Sequence, residues 1–235
     1  MAEVCCALAA LALLLMVTLP ALGMSKGRSH RIVCVNNLSR IGLANAMWAN
    51  EHDGRRPMMV PYWDGGTATA GTPPSGNGNG SPWFAPISST AWFQYYWLSN
   101  ELVTPKVLLC PSDATRRPAT DWSASSAGGL LHAIFRNNSV SYVVAHSFSE
   151  LERGLIGADR NLPFTLAIAN CAYGYQGVKE LGPTSQSLAW SGILHYPLGN
   201  LLYNDGTVEV ADDTRLRVLF DATTPTSSRV HYLVP

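Results

Sequence analysis

The chain lacks a surplus of either charge. Lys+Arg and Asp+Glu number 16 each, so its formal net charge is zero. A surface that tracks phosphates needs a basic excess, which excludes nucleic acid as an expected partner. Charged residues make up only 14%, against about 25% in an ordinary soluble domain. There is no C-x-x-C pair among Cys5, Cys6, Cys34, Cys110 and Cys171, so zinc-ribbon and thioredoxin-like chemistry have no motif. G-x-S-x-G, the P-loop, H-E-x-x-H and the EF-hand loop are all missing. His132, His146, His195 and His231 are scattered, and no two are spaced as ligands. The chain therefore reads as a non-enzyme with no resident cofactor.

What is present is one long charge-free run, "VCCALAALALLLMVTLPALGM", at 4–24. As a helix it measures roughly 30 Å, enough to cross the hydrocarbon core of a bilayer. Three readings compete. A cleaved secretory signal wants a basic segment ahead of the run; only Glu3 stands there, although "LPALG" offers small residues to a signal peptidase. A buried core helix is rarely so long and so uniformly apolar. A permanent membrane helix fits best. Glu3 is costly at the mouth of such a helix, relieved in part by the helix dipole and further by a cation on a neighbouring chain. Lys26, Arg28, His30 and Arg31 follow the run, and the positive-inside rule alone would place that end in the cytoplasm. If the rest of the chain is exported, Cys34 and Cys110 can pair and leave Cys171 free; three buried thiols are the alternative.

The helical pattern continues past the apolar run. Ile32, Val35, Leu38, Ile41, Ala44 and Trp48 recur at three- and four-residue steps, which predicts an amphipathic helix with one face on a globular body. "HDG" at 52–54 supplies its stop. One helix is thus expected from about residue 2 to 52, roughly 75 Å long, kinked at Pro20 and softened at Gly23 and Gly27.

Such a helix, membrane-embedded first and amphipathic second, with a lone early Glu, resembles the plan of type IV pilins and type II secretion pseudopilins. The interval between Glu3 and Pro20 is that family's interval between its carboxylate and its proline. "CVNNLSRIGLANAMWANEHDGRRP", "LLCPSDA" at 108–114 and "SYVVAHS" at 141–147 are similar to segments of its prepilin-type H-x9-DG subgroup, and His195 with Asp205-Gly206 fits the pattern that names the subgroup. The matches run through most of the chain in the family's order. The G-F-T-L that precedes the carboxylate in the family is absent, with Met1-Ala2 where its last residues would stand: either the chain starts at an internal Met or it escapes prepilin peptidase, and the two alternatives stay open for processing and N-methylation.

The resemblance implies a structural subunit with residues 1–30 as the membrane and filament-core half-helix and 31–235 as the globular domain. It implies Glu3 and Pro20 as assembly residues. Cys34, Cys110, Pro111, Ser112, Asp113, His195, Asp205 and Gly206 become structural family marks. Sister subunits, the inner membrane and a secretion or pilus assembly machinery are the implied partners. The chain would be a single-pass inner-membrane protein with its globular domain in the periplasm or on the cell surface, because pilin-like proteins keep that orientation despite cations after the helix. The competing reading is a secreted or membrane-tethered binding module or hydrolase, carbohydrate-directed given seven Trp and nine Tyr, with a cleaved signal.

For the globular part the expectation is α+β: the long helix packed on a mainly antiparallel sheet with long irregular loops. Residues 64–90 read as a loop, 89–102 as a short helix, and "KVLLC", "SYVVAH" and "FTLAIANCA" as strands, with "QSLAW" joining them. "GNLLYN", "DG" and "TVEVA" read as a hairpin with a tight turn, and 215–220 as a helix or strand. His195 is expected to brace that turn or a backbone carbonyl rather than to act as a base. Calcium is the one metal considered, because major pseudopilins bind it and Asp205, Asp212 and Asp213 surround the hairpin; calcium wants six to eight oxygens.

Overall fold

A computed structural model describes residues 2–61, 64–67, 90–146, 154–162, 166–167, 178–180, 189–192, 194–223 and 231–235, with the side chains of 2, 6, 17–26, 146, 166–167, 178–180, 220–223 and 231–232 outside that description. Helix α1 runs from Ala2 to Asn50. It ends where the sequence places its stop: Asp53 and Gly54 take left-handed φ of 56° and 76°, and the Gly54 amide donates to the carbonyl of Ala49 at 2.8 Å. The ring of His52 stacks on that of Trp48 with centroids 3.5 Å apart.

The architecture is α+β with an antiparallel sheet. Its strands are β1 (Tyr142–His146), β2 (Leu155–Asp159), β3 (Leu166–Ala167), β4 (Val178–Glu180), β5 (Leu198–Tyr203), β6 (Val208–Asp212) and β7 (His231–Leu233). Their order is β3-β4-β7-β1-β2-β5-β6, and every pairing of neighbours is antiparallel. Short helices α2 (Ala91–Tyr96) and α3 (Ser99–Leu102) precede the sheet, and α4 (Asp213–Thr223) follows β6.

The central strands are apolar on both faces because both faces are covered. Tyr142, Val144, Ile156 and Leu202 join one core with Cys34, Leu38, Ile41, Ala44 and Trp48 of α1 and with the aromatics of α2. Val143, Ala145, Ala158, Leu201 and Tyr203 point to the other face and pack with Trp190 and with Leu216 of α4. Alternate residues of one strand serve opposite layers, which is why "SYVVAH" reads as a continuous apolar run.

Several expectations meet their outcome here. The hairpin forms at β5–β6, and 215–220 falls within α4. "KVLLC" is not a strand: Pro105–Leu108 is a 3-10 helix. Pro105 presets the first helical φ, and the Thr104 side chain accepts from the Lys106 amide, so local capping overrides the apolar run. The span 89–102 is two short helices rather than one. Of 164–172, only Leu166–Ala167 is described, as a strand; the remainder, Cys171, most of "QSLAW" and 68–89 lie outside the described residues.

Among the described residues no helix is long and apolar enough to cross a membrane. The described side chains of the apolar half of α1 stop at Met16, and Pro20 lies beyond them.

Candidate functional site

Three pieces of chain meet beside the middle of α1. The first is α1 itself at Cys34 and Asn37. The second is the "CPSD" turn, closed by the Asp113 amide donating to the carbonyl of Cys110 at 2.9 Å, with Pro111 and Ser112 between. The third is the segment ahead of β5 that carries His195. Cys34 and Cys110 form a disulfide with Cα atoms 5.3 Å apart, and both are fully buried. The imidazole Nε2 of His195 lies 3.1 Å from the Sγ of Cys110.

Each piece has its own anchor. The Asn37 amide donates to the carbonyl of Leu109 at 3.0 Å and to the hydroxyl of Tyr142 at 3.3 Å, tying helix, turn and strand β1 together. Asp113 has a fully buried side chain and receives Arg160 in a two-pronged pair, Nε to Oδ2 at 2.6 Å and Nη2 to Oδ1 at 2.7 Å. Hydroxyls of Thr115 and Ser141 donate to the same carboxylate. Burial alone would push this carboxyl up, but the hydrogen bonds of Arg160, Thr115 and Ser141 and the Arg160 charge outweigh it and hold it below the usual range. His195 has a left-handed φ of 39°. Its carbonyl accepts from the Leu198 amide at 2.9 Å and from the Arg31 guanidinium at 3.3 Å. Burial, with the charges of Arg31 and His30, lowers its imidazole to about 4. The ring is therefore neutral at physiological pH.

His195 does not brace the Asp205-Gly206 turn. The six residues of β5 separate them, about 20 Å at the rise of a strand, so the ring turns to the disulfide instead. Asp205 makes its own turn: its Oδ1 accepts from the amide of Thr207 at 2.9 Å and from its hydroxyl at 2.6 Å, and Gly206 supplies φ of +81°. Asp212 caps α4 through the Arg215 amide at 2.7 Å, and Asp213 accepts from the Trp190 amide at 2.7 Å. Asp205, Asp212 and Asp213 thus serve three separate backbone tasks, and the one described group of three possible metal-ligating side chains is Cys34, Cys110 and His195. Glu3 lies exposed in the first turn of α1.

Sequence reasoning missed Arg160, Asp159 and Asn200. Asp159 is fully buried, and its Oδ2 accepts from both the amide and the side chain of Asn200 at 2.9 Å each. Burial raises its carboxyl to about 7, against the lowering effect of those hydrogen bonds. Asn37 and Tyr142 lie inside the quoted "CVNNL" and "SYVVAHS" segments, which was the available signal for them.

Compared with known proteins, the chain matches no family model, no curated protein and no solved structure.

Proposed function

We propose that the chain is a membrane-anchored, pilin-like structural subunit of a type IV pilus-like or type II secretion pseudopilus filament. The observation that carries this reading is the division of α1. Its second half is bolted to the globular body by the Cys34–Cys110 disulfide and by buried Leu38, Ile41, Ala44 and Trp48. In its first half Val4, Leu8, Leu11, Leu14 and Met16 stand more than half exposed. An apolar surface of that extent needs a cover. Lipid supplies it before assembly, and sister helices replace lipid in the filament core. Glu3 then meets the terminal amine of a neighbouring copy, which relieves a carboxylate in an apolar setting. The cations after the apolar run stay with the exported domain.

The experiment is assembly of the full chain against Glu3→Ala, scored by filament shearing and by intersubunit cross-linking. Loss of cross-linked ladders with unchanged membrane content is expected. A Glu3→Ala chain that assembles like the parent overturns the reading.

A further inference from the structure

The sulfurs of Cys34 and Cys110 and a ring nitrogen of His195 all lie within 4.8 Å of one another. They come from three separate stretches of chain, each fixed by contacts other than the S–S bond. Asn37 holds α1 to Leu109, Asp113 and Arg160 hold the "CPSD" turn, and Arg31 and Leu198 hold the carbonyl of His195. The stretch of backbone that carries each side chain is therefore held by contacts other than the covalent link. A cystine offers no thiolate, so the disulfide closes this cluster to metals.

We propose that reduction of the Cys34–Cys110 disulfide opens a soft-metal site of two thiolates and one imidazole, suited to a divalent ion such as zinc. The reductant is a dithiol. One of its sulfurs attacks the cystine and the S–S bond breaks. The second dithiol sulfur then attacks the first and expels the cysteine still bound to it, so the dithiol leaves as its own disulfide and two electrons and two protons stay on Cys34 and Cys110. The metal displaces those two protons to solvent as it binds both sulfurs and the imidazole. Zinc–sulfur bonds of about 2.3 Å and zinc–nitrogen bonds of about 2.0 Å set tetrahedral ligand separations of about 3.5–3.8 Å. Reaching them requires the two sulfurs to part once their bond is broken, while Nε2 of His195 already stands 3.1 Å from the Sγ of Cys110, and thiolate with imidazole is a donor set that zinc prefers. His30 lies one helical turn before Cys34 on the same face of α1. This inference is independent of the filament reading.

The test uses the full-length chain in mild detergent, with Cys5, Cys6 and Cys171 changed to Ser. It is reduced with dithiothreitol, desalted without oxygen and titrated with Co2+. The reduced chain is expected to bind about one Co2+ with a thiolate-to-metal charge-transfer band that Zn2+ abolishes. The oxidised chain is expected to show no such band. His195→Ala should keep two titratable thiols but bind Co2+ at least about tenfold more weakly. The proposal is overturned by a reduced chain with two free thiols and no charge-transfer band, or by His195→Ala titrating like its parent. A reduced chain that loses its circular dichroism and does not regain it with Co2+ overturns it equally.

Discussion

Gly42 of α1 and Gly206 of the β5–β6 turn meet without side chains between them. A Cβ placed on Gly42 would stand 3.2 Å from the Cα of Gly206 and 2.9 Å from a methyl of Leu202. The hairpin rides on the helix through this contact, so the Asp205-Gly206 turn is also a docking surface for α1. Gly42→Ala gains about 1 kcal/mol of helix propensity and loses a similar amount to the close approach, so its midpoint in urea should barely move. Gly42→Leu has no such balance and should cost about 2–3 kcal/mol, read as a lowered midpoint at unchanged slope.

The disulfide joins residues separated by 76 positions. Cross-linking a loop of that length restricts the unfolded chain by about 4.5 kcal/mol in the chain-entropy account. Cys34→Ser with Cys110→Ser should lower stability by about 2–4 kcal/mol, measured by denaturant unfolding of the oxidised parent and the double variant.

Asp113 is held below the usual carboxylate range and Arg160 is its main partner. The native carboxyl is harder to protonate than the unfolded one. Its contribution is therefore complete above the ordinary carboxylate value and disappears as pH falls below that value. Asp113→Asn strands the buried Arg160 charge and should cost about 3 kcal/mol or more at neutral pH. The penalty should shrink in acid, and unfolding curves at pH 7 and pH 3 check both the size and the direction.

Asp159 shows the opposite sign. Its carboxyl is raised by burial to about 7 in the folded protein, against about 4 in an unfolded chain. Between those values the native state binds the extra proton, so stability falls as pH rises from about 4 to about 7 and is level above. Asp159→Asn removes this titration and should flatten that part of the stability curve. Thermal melts across the window, parent against variant, measure it.

The parts of the fold legible in the sequence are the locally determined ones. "HDG" marks the end of α1, "SYVVAH" a strand covered on both faces, and "NDG" the hairpin turn, because each is fixed by glycine geometry or by period. The run "KVLLC" at 106–110 misled because its apolar residues look alike in a strand or a 3-10 helix, and Pro105 with Thr104 decides between them. The His195 partner was not legible, since ten positions along the chain say nothing about Cys110 eighty-five positions away. Arg160 was equally hidden: nothing in "ADRN" shows that its guanidinium ends on Asp113.

The filament reading turns on the first half of α1, where the described side chains of Val4, Leu8, Leu11 and Met16 stand more than half exposed. The most direct measurement is the intact mass of the chain recovered in the membrane pellet after an alkaline carbonate wash of expressing cells. The account predicts a pelleted chain that still carries residues 3–16, released into the supernatant by Leu11→Arg with Leu14→Arg. A chain found in the soluble fraction with its mass beginning after Gly23 would contradict it, because a removed signal leaves no helix to hold in lipid or in a filament core.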